Sequence, residues 1–265
     1  MKAWAWMAAA AALATSGCAW MNACCEAAPN TLTEAEKKAG WQLLWDGKTS
    51  AGWVGRKSGL KTFPAKGWTM QDGVLTVLPR AYITDEGKWK ALPPEQAALG
   101  GGGDIVTEKE FKDFELKIDF RLTKAANSGI KYFFNPAKNK GTCEEYQLLD
   151  GAHPDADKGR AGNRRVASLY DMIPANADKL VKPLGEWNTA RIVSKGAHVE
   201  HWLNGVKVLE YDRGSAAFRQ CVAASKYAKE APKGEHWGEL ESGRILLQDH
   251  SDSTVSFRNI KIRTF

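Results

Sequence analysis

The stretch EEYQLLDGAHPDADKG, Glu144 to Gly159, gathers five carboxylates, a histidine and a glutamine. Three chemistries fit such a composition: a solvated loop, a metal site, or a carboxylate pair that cuts a sugar. If EYQLL is a strand, Glu145 and Gln147 share one face and Glu144 points the other way, toward solvent. Glu145 is then a candidate base or metal ligand, and otherwise an exposed strand charge. Gln147 on the same face is a candidate hydroxyl binder. Asp150 and His153 continue the strand into the candidate site. His153 reads either as a base or as a ligand that joins Glu145 around a divalent cation such as Ca, Mn or Zn. The competing reading is turn chemistry, since His-Pro-Asp is a natural turn former, and Asp155 leans that way. Asp157 and Lys158 read as surface.

Other residues could complete such a site. His250, in LLQDHSD, ends a strand and can act as acid, base or ligand. Gln248 shares its parity. Lys131 sits between Ile130 and Tyr132 on a central-looking strand, an expensive place for an ammonium unless it lines a wet cleft. Asn127-Ser128-Gly129 reads as the turn into that strand. Tyr170 is a candidate leaving-group acid or a core tyrosine. Arg164 belongs to the GNRR loop and is a candidate grip on a hydroxyl or carboxylate. In EHWLNG, His201 and Trp202 alternate, so one of them faces inward at a time. Either is a candidate for the cleft, Trp202 as a sugar-stacking face. His198 and His236 read as surface. Neither HExxH nor CxxC occurs, so no recognisable zinc motif is present.

The elements that must position these groups are mostly strands. DFELKIDFRLT, Asp113–Thr123, alternates strictly, with Phe114, Leu116, Ile118, Phe120 and Leu122 on one face. WTMQDGVLTVL turns at Asp72-Gly73, and VEHWLNGVKVLEY turns at Asn204-Gly205, a strong hairpin signal. RILLQDH and TVSFRNIKIRTF read as the last two strands. A parity slip in the latter predicts a bulge near Asn259. Thr33 and Glu36 form a capping box for a short helix ending near Gly40. Pro79–Asp104 and Pro154–Arg165 read as long loops, and Gly214–Lys226 as an outer helix. The expected class is all-β, a two-sheet antiparallel sandwich with one or two short outer helices.

The first eighteen residues read as an export signal. A short apolar run, Ala3 to Ala14, is followed by Thr15-Ser-Gly-Cys18, similar to a lipoprotein cleavage box with Cys18 as the lipid anchor. Residues 19–32 read as a tether and 33–265 as one domain. The expected location is exported, periplasmic or membrane-anchored. The net charge of +6 comes from 37 basic and 31 acidic residues that are interspersed. No basic stripe with aromatics appears, so nucleic acid is not expected as a partner. An oxidising compartment would permit a Cys143–Cys221 bond, which spacing alone does not establish.

Several motifs together resemble a known family: GWQLLWDGKTSAGW (40–53), DFELKIDFRL, NSGIKYFF, EYQLLD, HPDA, GNRRVASLYDMIPA, EWNTARIV, EHWLNGVKVLEY and LLQDHSDSTVSFRNIKIR. They look like the 3-keto-disaccharide hydrolase domain. The resemblance implies a concanavalin-like sandwich (jelly roll) and cleavage of glycosides already oxidised at C3 by a separate sugar 3-dehydrogenase. The spacing Glu145-x-Gln147-x-x-Asp150 also echoes the Glu-x-Asp-x-x-Glu strand of laminarinase-type glycosidases. Here the middle acid is Gln147, which weakens a direct double-displacement reading. Proton abstraction at C2 and β-elimination, followed by hydration, is the expectation. A conventional glycosidase and a non-catalytic carbohydrate-binding module are the alternatives.

Overall fold

A computed structural model describes residues 28–139, 141–230, 236–250 and 254–265. The export signal, Cys18 and most of the expected tether lie outside the described residues. The last part of that tether does not behave as one. Asn30 is locked into the fold: its backbone N–H donates to Asn259 Oδ1 at 2.6 Å, and its amide donates to Gly73 O at 2.9 Å.

The chain folds as an all-β sandwich of two antiparallel sheets. One sheet runs Val206–Asp212, His198–Leu203, Asn188–Lys195, Phe114–Leu122, Val255–Thr264, Val74–Val77 and Trp68–Gln71, with Gln42–Leu43 also on Val255–Thr264. The other runs Glu145–Leu149, Asn127–Phe134, Arg244–Leu247, Ile105–Thr107 and Trp53–Gly55. Alternation decides which side chains meet between them. Phe114, Leu116, Ile118 and Phe120 face Ile130, Tyr132, Tyr146, Leu148 and Leu247 in one core. Each such side chain contributes roughly 1.5–3 kcal/mol of burial.

The turns follow their sequence. Asp72-Gly73 and Asn204-Gly205 both have positive φ, as a type I′ hairpin requires. The capping box at Thr33 and Glu36 opens a helix at Glu34–Lys38. The predicted bulge falls at Asn259, with φ of 51° and a register shift between Arg258 and Lys261.

Two segments differ from expectation. Pro79–Asp104 is not plain loop: it carries a separate hairpin, Ala81–Ile83 with Trp89–Ala91, and a helical turn at Pro94–Ala97. The outer helix, Ala216–Ala223, is followed by a 3-10 turn at Lys226–Lys229. That turn lies against the Glu145 strand's neighbours, because Lys226 N–H donates to Asp171 Oδ2 at 2.8 Å. Cys143 and Cys221 are both free thiols, so the permitted bond is not made.

Candidate active site

The five-stranded sheet turns one face to the core. The other carries Lys131, Glu145, Gln147 and Asn127. Register brings them together: Glu145 pairs with Lys131, Gln147 with Gly129, and Leu149 with Asn127. A small apolar patch of Val106, Phe134, Cys143 and Leu246 packs on the same face. Lys131 is affordable there because it is paired. Its Nζ lies 3.4 Å from Glu145 Oε2 and donates to Gly141 O at 3.2 Å. Burial pushes the ammonium toward neutrality, but Glu145, then Cys143 and Asp104, outweigh it and hold the lysine pKa above its ordinary value.

Gly129 makes room for this arrangement. A Cβ there would stand 2.2 Å from Glu145 Oε1, so only glycine lets the carboxylate lie across the sheet. Asn127-Ser128-Gly129 is therefore part of the strand, not the turn into it.

Gln147 settles the orientation of its neighbours. With its nitrogen toward Glu145, the amide donates to Oε1 at 2.9 Å and to Ser128 O at 3.2 Å. Turned the other way, an amide oxygen would face a carboxylate oxygen. The Gln147 oxygen then accepts from the Asn127 amide at 3.3 Å once that amide is also turned, nitrogen toward Gln147 and oxygen toward His153. His153 Nδ1 accepts from Asp155 N–H at 3.0 Å. In a neutral ring the proton is therefore on Nε2, which faces the Asn127 amide at 3.5 Å. The consistent set runs from His153 through Asn127 and Gln147 to the Glu145 carboxylate.

Around this row stand further groups. His250 faces His153 edge-on, with ring centroids 6.1 Å apart. Tyr170 is tied to the Glu145 strand by its N–H, which donates to Glu145 O at 3.0 Å. Burial pushes its phenol up to about 12, with Arg164 opposing, so it stays protonated at neutral pH. The Arg164 guanidinium lies over the Tyr170 ring at 5.4 Å and is anchored by Asp171 at 2.7 Å. Lys226 Nζ lies 4.3 Å from the same ring centroid, and burial lowers its pKa. On the other side, a cavity of about 550 Å³ is lined by Lys131, Gln248, Asp104, Asp249, Arg56 and Lys57, with two glycines.

Eight of the sequence candidates thus converge: Glu145, Lys131, Gln147, His153, His250, Tyr170, Arg164 and Gln248. Three do not. His201 is fully buried between the sheets, where Tyr132 and Ala167 O hold it at 2.8 and 2.9 Å. Burial pushes it down to about 4, so it is a neutral core residue. Trp202 alternates to the outside of the larger sheet under Arg191, 4.4 Å from the ring centroid. Asp150 caps the turn before the Lys131 strand by accepting from Ala125 N–H at 2.7 Å. Glu144 is also corrected. It is 1% exposed, 3.9 Å from Arg213, and burial pushes its carboxyl up to about 7.

The divalent-cation reading does not fit Glu145 and His153 as a ligand pair. The Asn127 and Gln147 side chains stand between them, and Lys131 already sets a cation beside Glu145. Among the described residues, the group of three ligating side chains that does converge is His198, Glu200 and Glu210, on the far sheet. There, Lys207 bridges both glutamates.

Asn127, Lys226 and Trp89 escaped the sequence reading. Asn127 is hidden by its resemblance to a turn residue, and Lys226 by its place at a helix end. Trp89 lies in a stretch without periodicity.

Comparison with known proteins accords with this architecture. Residues 40–263 match the 3-keto-alpha-glucoside-1,2-lyase-like domain family. A curated 3-keto-disaccharide hydrolase of Bacteroides thetaiotaomicron is 35% identical over 248 residues, spanning 84% of this chain and 78% of that protein. A crystal structure of a candidate glycosyl hydrolase from Parabacteroides distasonis superposes with a TM-score of 0.69 at 29% identity, covering 90% of this chain and all of that one. A second from the same organism gives 0.58 at 27% identity, over 85% and 99% of the two chains.

Proposed function

We propose that this chain, which belongs to the 3-keto-alpha-glucoside-1,2-lyase-like domain family, cleaves glycosides already oxidised at C3. A ketone at C3 acidifies the C2 proton. Glu145 removes that proton, and the electron pair moves onto the C3 oxygen as an enediolate. The Lys131 ammonium lies beside Glu145 and stabilises that oxygen's charge. The pair then returns, the C1–O bond breaks, and the departing oxygen takes the Tyr170 proton. Water adding across the resulting double bond gives the free keto-sugar. Arg164, Gln248 and His250 supply hydroxyl contacts around the ring.

The observation that carries this reading is the row Lys131–Glu145–Gln147. It offers one base and one cation, with an amide where a paired-acid glycosidase would need a second carboxylate. Asp104 and Asp249, the acids of the adjoining cavity, are engaged with Arg56 and with Gly103 N–H. Such a site suits enolisation better than double displacement.

The reaction needs a sugar 3-dehydrogenase upstream to supply the ketone. We place it outside the cytoplasm, on the export signal and the lipid-box-like Thr15–Cys18.

The test is to incubate the purified protein with a glucoside and with its 3-keto derivative. Release from the keto form alone is expected. Release from the plain glucoside alone would overturn the reading, and release from neither would favour a binding module. Glu145→Gln should abolish release while leaving the melting temperature within a few degrees. Repeating the assay after chelation checks the divalent cation directly.

A further inference from the structure

The chemistry above leaves the hairpin Ala81–Ile83/Trp89–Ala91 without a role. It joins neither main sheet. An isolated two-stranded hairpin is marginal in water, so something else must hold it. Part of the hold is Lys124, in the turn before the Lys131 strand, which pairs with Asp85 at 2.8 Å in the hairpin loop. On the face shared with Ile83, Trp89 leans edge-on against His153 with ring centroids 5.6 Å apart. Yet it is 39% exposed. A half-covered tryptophan against a residue of the candidate site offers an apolar face to a ring.

Its distance from the base decides which partner. The Glu145 carboxylate lies over Gly129, two residues or about 7 Å from Asn127 along that strand. His153 stands at the Asn127 end and Trp89 packs edge-on against it. That span exceeds one pyranose ring. If the keto ring sits over Glu145 and Lys131, as the proposed function requires, Trp89 falls under the next ring along.

We propose that Trp89 is a specificity residue: it forms a second subsite that stacks the ring of the leaving group, a pyranose or an aryl group. The subsite does not touch the ketone. Its contribution therefore depends on what leaves, not on what is oxidised.

The experiment compares wild type, Trp89→Ala and Trp89→Phe on a 3-keto-glucosyl-glucose disaccharide and on methyl 3-keto-glucoside. Trp89→Ala is expected to lower kcat/KM about tenfold on the disaccharide. It should change the methyl glycoside less than about twofold, and Phe should restore most of the loss. Equal losses on both substrates would overturn the subsite and make Trp89 a support for His153. No loss on either would also overturn it. Calorimetric titration with the unoxidised disaccharide separates this from the proposed chemistry. If wild type cleaves neither keto substrate, the elimination reading fails. A tenfold weaker binding by Trp89→Ala would then still support the subsite, and unchanged binding would refute it.

Discussion

Replacing Gln147 by glutamate tests the central arrangement most directly. The Gln147 amide nitrogen lies 2.9 Å from Glu145 Oε1 and donates to it. A second carboxylate at that place removes the donor and adds a like charge. With charge centres about 4–5 Å apart and an effective dielectric near 20, the repulsion is about 3–4 kcal/mol. The Lys131 ammonium, 3.4 Å from Glu145 Oε2, offsets part of this. A net effect of about 3 kcal/mol corresponds to about 2 pH units. The pair must hold one proton until the medium is more alkaline, so the base is lost over a wider acidic range. The assay is the pH profile of kcat/KM on a 3-keto-disaccharide, which reports ionisations of the free enzyme. Its acidic limb should move up by about 2 pH units, with activity recovering at high pH. Gln147→Met removes the hydrogen bond without adding charge and should lower activity while moving the limb much less. A Glu variant with an unshifted limb, or one that gains activity on plain glucosides, would refute the role given to Gln147.

Other outcomes follow from the same geometry. Gly129→Ala should displace Glu145 and cut activity at least about 100-fold while the core on the opposite face is retained, read by kcat against the thermal melt. Lys131→Met should lower kcat on the keto substrate by about 100-fold or more, since it removes the oxyanion's counter-charge, with little change in binding of the unoxidised sugar. Glu144, pushed up to about 7 by burial, binds its proton more tightly folded than unfolded. Its contribution is present below pH ~4.5 and lost as pH rises toward ~7. His201, pushed down to about 4, has the opposite slope below pH ~6.5, so the contributions of these two groups should nearly cancel between roughly 4.5 and 6.5. Glu144→Gln should therefore gain stability over wild type as pH rises to 8, by about 3 kcal/mol at most, in denaturant melts at pH 5 and 8.

Strand content and turns were legible because each rests on short-range rules. Phe114–Leu122 alternates, Asn204-Gly205 accepts positive φ, and the parity slip marks the bulge at Asn259. The site was partly legible for the same reason: Glu145 and Gln147 share a face by period two. What period cannot give is which of two faces is wet. Glu144 and His201 alternate correctly yet end inside, because Arg213, Tyr132 and Ala167 wait there to partner them. The Trp89 hairpin and Lys226 depend on long-range docking through Asp85–Lys124 and Asp171, which leaves no local pattern.

Gly129 has a consequence beyond this chain. Its missing side chain is the berth of the Glu145 carboxylate, so the two positions are not independent characters. A relative that keeps glutamate on the edge strand but carries any larger residue opposite must park that acid elsewhere. Such a protein would retain the sandwich while losing the geometry proposed here for proton removal. Under the proposed function the glycine is a sorting mark: read with the glutamate, it would separate members able to remove the proton from members that only bind.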